Sequence, residues 1–355
     1  MRPKIGIVGT GRTVGIAHYH ALGLLQDGRA EIAAVFNPDA QRAAAFLAEH
    51  GLENATVCTS YEQLLDCVDA VDICSPNATH VDYTLAAIGA EKAVLVEKPL
   101  APSAAESRLA LHAMRELTNG RAMPFNMVGF VYRYAHLFQE LRRLVQDEIG
   151  RVYTFSASMG GRRLANYNLP LEWRMQKRHS GSGALGDFGS HLVDLASFAA
   201  GLSFEQVWGM ASTVIPERPA NPEGQTLVEN DDQAVFTARA ADGALASFTV
   251  SRVGMDDLMV LIAGEGGLAR ASLGSPEKIL FLPARSGVYS AEYQEIRPAA
   301  QPPFEGWFAG QMRAFVDGLT GREVDAPDLQ QGHYVECVLE AAEKASAMQA
   351  VRVVL

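Results

Sequence analysis

The chain has 355 residues, a formal net charge of −11, 48% apolar residues and 20% charged residues. At about 100–200 residues per domain, that length suggests two domains, each able to bury a full core. The acid excess argues against nucleic acid or an anionic membrane surface as a partner, and no run approaches the roughly 18 uncharged apolar residues that a membrane span requires.

The opening segment, MRPKIGIVGTG, lacks the apolar stretch of about 7–15 residues found in a signal peptide, which sets the expectation of a cytoplasmic protein. Cys58, Cys67, Cys74 and Cys337 form no CxxC pair and no Cys/His group at zinc-like spacing. They read as thiols in a reducing compartment, and no metal is expected.

From residue 4 to about residue 121, short apolar runs at 5–8, 32–36, 71–74 and 93–96 alternate with Ala- and Leu-rich helical patterns at 17–26, 40–50, 79–89 and 103–117. This alternation predicts a parallel sheet with helices on both faces, its strands buried on both sides. After residue 123 the rhythm changes. Helices are expected at 136–147 and at 190–200, the latter stopped by Gly201. Stretches at 152–158, 207–214, 233–240, 245–251, 258–263 and 278–282 have strand character, with turn signals at Asp242-Gly243 and Gly266-Gly267. Helices at 308–319 and 333–347 close the chain. The fold class is therefore α/β: a dinucleotide-binding-type domain over residues 1–122, then an α+β domain over 123–355 built on a mostly antiparallel sheet.

Residues 4–15 read KIGIVGTGRTVG, an apolar strand running into Gly9-Thr10-Gly11 with an amphipathic helix following. One glycine permits the tight turn and the next lets the backbone approach a pyrophosphate at the positive end of the helix. The usual third glycine is replaced by Val14, with Gly15 next, so the loop carries one extra residue. Gly9, Thr10, Gly11, Arg12, Thr13 and Val14 are the candidate phosphate contacts. The second strand ends at Asn37-Pro38-Asp39. Asn37 can hydrogen-bond a ribose but does not repel a phosphate as a carboxylate would, while Arg12 and Arg42 could serve a 2′-phosphate. On balance NAD(H) is favoured over NADP(H).

Three further segments are specific: Ser75-Pro76-Asn77-Ala78-Thr79-His80, Glu97-Lys98-Pro99, and the run GSGALGDFGSHLVD at 181–194. In this order and at these distances they resemble the glucose-fructose oxidoreductase/inositol dehydrogenase (Gfo/Idh/MocA) family, over essentially the whole chain. Residues 129–133 (GFVYR), Trp173-Arg174 and 263–267 (AGEGG) add to the likeness. The resemblance implies an N-terminal Rossmann domain and a C-terminal α+β domain whose open sheet mediates homodimers or homotetramers. It implies hydride transfer between a nicotinamide and a sugar, inositol or related polyol carbinol. Lys98 matches the family's catalytic lysine, and Glu97 a residue that holds the nicotinamide ribose. Pro99 matches a proline that is often cis. Asp187 and His191 match the acid/base pair, Ser75, Pro76, Asn77 and His80 lie by position near the cofactor, and Arg133, Trp173 and Arg174 near the substrate.

The residue chemistry agrees. Hydride removal from an alcohol needs a proton acceptor at its oxygen, and histidine suits that role near neutral pH. Asp187 and His191 are four apart, one turn on a common helix face. Lys98 follows a parallel strand, where open α/β sheets bind ligands, and its charge offsets developing alkoxide character. Two other readings use much the same residues: a glycosidase-like enzyme that oxidises and re-reduces its substrate with bound NAD, and a cofactor-binding regulator.

Overall fold

The computed structural model describes residues 2–10, 16–119, 121–300 and 302–348. It divides into two compact units: 1–134 with 302–334, and 135–301 with 335 onward.

The first unit builds a six-stranded parallel sheet. In chain order it runs β1 (Lys4–Val8), α1 (Ile16–Asp27), β2 (Glu31–Phe36), α2 (Ala40–Glu49), β3 (Thr56–Cys58), α3 (Tyr61–Cys67), β4 (Ala70–Ile73), α4 (His80–Gly89), β5 (Ala93–Val96), α5 (Ala104–Leu117) and β6 (Asn126–Val128). The strand order is β3-β2-β1-β4-β5-β6, all neighbours parallel. This is the doubly wound order, with its switch point between β1 and β4, where such sheets bind dinucleotides. All four residues of β4 and of β5 are buried, as strands covered on both faces must be.

The second unit carries α6 (His136–Leu144), β7 (Val152–Gly160), a short α7 (Lys177–Ser180), α8 (Ser190–Ala200), β8 (Phe204–Ser212), β9 (Gln233–Ala240), β10 (Leu245–Ser251), β11 (Leu258–Gly264), β12 (Gly267–Ser272), β13 (Ile279–Arg285), β14 (Val288–Tyr289) and β15 (Gln294–Ile296). The sheet order is β14-β13-β12-β11-β7-β10-β9-β8, with β15 on β13. Its pairs are antiparallel except β7 with β10. One face is packed: Phe155, Phe236 and Phe248 are buried, with Phe236 and Phe248 stacked at 4.5 Å. The other face leaves Tyr153, Trp208, Met210, Val235 and Leu245 exposed.

Two helices close the chain, α9 (Phe304–Leu319) and α10 (Leu329–Ala347). The sequence places residues 302–334 with the second domain; here α9 packs into the first unit. Its Met312, Phe315 and Val316 join Ile5, Ile7, Ala21 and Leu24 in one buried cluster. Each such side chain contributes about 1.5–3 kcal/mol by leaving water, which is enough to override chain order. The predicted helix over 136–147 ends as α6 and continues as a π-turn at Val145–Ile149. The short strands β3, β6, β12, β14 and β15 were not expected from the sequence. No helix among the described residues is long and apolar enough to cross a membrane.

Candidate functional site

In the first unit the candidate residues follow the strands of the parallel sheet. Gly9, after β1, has φ +89, and its amide donates to Phe36 O at 3.0 Å. A Cβ there would lie 2.5 Å from the Ser75 backbone, so only glycine lets the turn after β1 pass the turn after β4. Thr10 is buried, and its hydroxyl oxygen accepts from Asn37 Nδ2 at 3.1 Å. Asn37 Oδ1 accepts the Asp39 N–H at 2.9 Å, and Asp39 in turn caps α2. Gly11, Arg12, Thr13 and Val14, the remaining predicted phosphate contacts, lie outside the described residues.

Ser75, Pro76 and Asn77 form the turn between β4 and α4, braced by Thr79 Oγ1, which donates to Ser75 Oγ at 2.7 Å. His80 is wholly buried between two backbone carbonyls, Ser75 O at 2.8 Å and Pro99 O at 2.6 Å. It ties the turn after β4 to the turn after β5, a brace behind the loops rather than a surface that a cofactor meets. Burial pushes its pKa down against the opposing pull of those carbonyls.

Glu97 and Lys98 follow β5, and the Lys98–Pro99 bond is cis. Glu97 is buried and Lys98 half-buried. Glu97 Oε2 accepts the Lys98 N–H at 3.3 Å. Arg133 is buried in the turn Val131–Tyr134. A dinucleotide fits this set by its chemistry: a tight glycine turn at the switch point of the sheet, an amide at the end of β2, and the Glu97 carboxylate beside Lys98.

In the second unit, Asp187 lies exposed inside a π-turn, Leu185–Gly189, that runs directly into α8, where His191 is buried. A π-turn widens the helix, a feature that recurs at functional sites. Asp187 does not cap this helix. The cap comes from Asp231, whose carboxylate accepts the Gly183 N–H at 2.6 Å and the Leu185 N–H at 2.7 Å, while its carbonyl accepts Ala184 N–H at 3.0 Å. Burial raises the Asp231 pKa against these backbone bonds. Arg252 fixes the same segment, donating to Asp232 at 3.0 Å, Asn230 at 2.7 Å and the Arg174 carbonyl at 3.2 Å.

Trp173 and Arg174 share one short turn, with the guanidinium 4.2 Å above the indole. Burial lowers the Arg174 pKa, and the Asp187 and Glu172 carboxylates oppose that. Arg163 pairs with Glu172 through two bonds of 2.7 and 2.8 Å, and it too feels Asp187. Asp187 thus stands in a field set by two arginines. Sequence reasoning missed Asp231 and Arg252, which sit in no motif; the only signal was a carboxylate pair, Asp231-Asp232, immediately ahead of a strand.

Comparison with known proteins agrees with this fold. Residues 3–122 match the family model described as oxidoreductase family, NAD-binding Rossmann fold, and residues 138–270 match the GFO/IDH/MocA C-terminal domain. The chain is 33% identical over 218 residues to a levoglucosan dehydrogenase of Pseudarthrobacter phenanthrenivorans, covering 57% of this chain and 54% of that protein. It is 28% identical to an inositol 2-dehydrogenase of Saccharopolyspora erythraea, over 96% of this chain and 92% of the other. The crystal structure of an oxidoreductase domain protein from Kribbella flavida superposes with a TM-score of 0.87 at 28% identity, over 98% of both chains.

Proposed function

The chain belongs to the Gfo/Idh/MocA oxidoreductase family, and on that premise we propose that it is an NAD(H)-dependent dehydrogenase of a sugar or cyclic polyol in which Lys98, Asp187 and His191 act on one carbinol. The observation that carries this reading is Glu97-Lys98-Pro99 at the carboxyl end of β5, in a doubly wound parallel sheet whose Gly9 turn lies at the switch point between β1 and β4. Relatives named for levoglucosan and inositol dehydrogenation point to the substrate class.

Bound NAD supplies the hydride acceptor. The rest falls to this chain's side chains. Gly9 and Thr10 meet the diphosphate, Asn37 the adenosine ribose, and Glu97 the nicotinamide ribose, with Ser75, Pro76 and Asn77 forming the neighbouring wall. His191 takes the carbinol proton, because imidazole exchanges protons near neutrality. Lys98 offsets negative charge on the substrate oxygen. Asp187 and Arg174 hold neighbouring hydroxyls, since a carboxylate accepts from a hydroxyl and a guanidinium donates to it. Arg133 and Trp173 complete the substrate contacts. The reading favours NAD(H) over NADP(H), with the Asn37 amide at the end of β2 to meet a ribose and Arg42 resting 3.2 Å from Asp39.

The exposed apolar face of the second sheet, with Trp208, Met210, Val235 and Leu245, supports a homodimer or homotetramer joined there. A reaction that draws on the cell's nicotinamide pool supports the cytoplasm as its compartment.

The test is a panel of levoglucosan, inositols, hexoses and glucosides with NAD and with NADP, followed by NADH or NADPH absorbance. Reduced cofactor should form with at least one member, faster with NAD. Tight cofactor binding with no turnover on any member would overturn the proposal.

A further inference from the structure

Behind Glu97 lies a buried charged group that the hydride chemistry does not use. His20 on α1 and Asp72 on β4 are both wholly buried. His20 Nδ1 stands 2.9 Å from each Asp72 carboxylate oxygen. The other ring nitrogen, Nε2, is 3.3 Å from Glu97 Oε1 and 3.1 Å from the side-chain amide of Gln311 on α9. Cys74 Sγ lies 3.4 Å from Nδ1, and the Phe308 ring of α9 packs 5.4 Å from the imidazole.

Two oxygens decide the protonation state. Glu97 Oε1 and Gln311 Oε1 are both buried without a hydrogen-bond partner, a costly state for a neutral group and more so for a charged one. Both belong to side chains that flank His20 Nε2. A proton on Nε2 gives Glu97 Oε1 a donor. Turning the Gln311 amide over exchanges two nearly isosteric atoms and offers its oxygen the same proton. With Nδ1–H already donated to Asp72, the ring is an imidazolium between two carboxylates. Burial alone would push the His20 pKa down, but the Asp72 carboxylate prevails and holds it well above the ordinary histidine value. His20, Asp72 and Cys74 also offer ligand atoms within 4.8 Å of one another. Burial pushes the Cys74 thiol up to about 12.

We propose that Asp72, His20 and Gln311 form a positioning relay that orients the Glu97 carboxylate to accept from the hydroxyls of the cofactor's nicotinamide-side ribose. The relay rests on the NAD(H) reading above. Gly129, after β6, serves the same end, because a Cβ there would lie 2.3 Å from Glu97 Oε1. Since Glu97 also accepts from the Lys98 amide, the relay steadies the backbone from which the Lys98 side chain leaves.

Calorimetric titration with NADH, and separately with ADP, tests the relay without turnover. ADP carries the adenosine half and no nicotinamide ribose. His20→Asn keeps a donor for Asp72 and removes the one facing Glu97. Expected is a loss of roughly tenfold or more in NADH affinity, the worth of a hydrogen bond to a charged group, with ADP affinity within about twofold. His20→Gln, whose amide nitrogen reaches the Nε2 position, should restore NADH affinity to within about threefold. In a Glu97→Gln background, His20→Asn should cost nothing further, because the pair acts as one. The wild-type preference for NADH over ADP should be complete below about pH 6.5 and fade as pH rises through the raised folded value of His20. Unchanged NADH affinity in His20→Asn, or NADH and ADP affinities falling together, overturns the relay. Should His20→Asn not fold, Gly129→Ala pushes the carboxylate aside with His20 in place and should give the same NADH-selective loss; equal effects on both ligands overturn the relay again. Wild-type protein that binds neither NADH nor NADPH refutes the NAD(H) reading itself, and the relay falls with it.

Discussion

The two units hold their proposed site residues by different devices. In the first, the candidates stand on turns at the carboxyl ends of parallel strands: Gly9 after β1, Asn37 after β2, Ser75 after β4, Glu97 and Lys98 after β5. Strand order gathers them, and the burial that orders the strands positions the site at the same time. In the second, Asp187 and His191 enter on a helix start with no side-chain cap from its own segment. A carboxylate from the far side of the chain, Asp231, does that work, and Arg252 locks the Asp231 segment from β10 onward. A parallel sheet brings a site together by topology. A largely antiparallel one must cross-brace it with side chains, so remote substitutions should hurt the second unit's residues more.

The largest expected effects fall on the reacting groups of both units. Lys98→Ala and His191→Ala should each lower kcat by about 10²–10⁴ while the protein stays folded. If both act on one carbinol, the double variant should be little worse than the poorer single one. Multiplying losses would instead mean separate roles, and an unchanged rate in Lys98→Ala would remove it from the mechanism.

Bracing should show next. Asp231→Ala strands the Gly183 and Leu185 amides, costing about 1–3 kcal/mol in denaturant unfolding. It should also lower kcat by about tenfold to a hundredfold through misplacement of Asp187 and His191, with NADH affinity unchanged. The matching control in the first unit is Ser103→Ala. Its hydroxyl caps α5 by accepting the Glu106 N–H at 3.2 Å, in the connection that leads from Lys98 and Pro99 into the helix. It should cost about 1 kcal/mol of stability and leave kcat alone. Equal kcat losses in the two variants would erase the contrast between the units.

The same contrast explains what was legible in the sequence. β5 is a continuous apolar run and β4 an apolar run broken only by Asp72, and each leads into motif residues, so Asn77, Glu97 and Lys98 could be placed on the strand ends from the sequence. β9 and β10 alternate buried with half-buried or exposed residues, and their limits at 233–240 and 245–251 match the sequence reading. β12, GLARAS, buries only Gly267, Ala269 and Ala271; residues this small carry too little hydrophobic signal to mark a strand. β3 and β6 have three residues each and hold their place through neighbours rather than through their own pattern. Nothing in the sequence pairs His20 with Asp72, 52 residues apart; only the fold brings them to 2.9 Å. Pairings between distant segments, such as Asp231 with Gly183, leave no periodicity to read.

The smallest expected effect concerns cofactor choice, at the end of β2. Asn37 is held at both ends of its amide, donating to Thr10 Oγ1 at 3.1 Å and accepting the Asp39 N–H at 2.9 Å. Arg42, the described cation nearest in sequence, is exposed and engaged with Asp39 at 3.2 Å. An exposed pair of this kind is worth about 0–1 kcal/mol, so its geometry says where the guanidinium rests, not that it is bound there. If NAD(H) is the natural cofactor, Arg42→Ala should change the ratio of NADPH to NADH affinity by less than about threefold. Asn37→Asp keeps the acceptor for Asp39, gives up the donor to Thr10, and adds a charge that repels a 2′-phosphate, so it should lower NADPH affinity selectively. A tenfold loss of NADPH affinity in Arg42→Ala would instead mean that the guanidinium leaves Asp39 for a 2′-phosphate, and the preferred cofactor would be NADP(H).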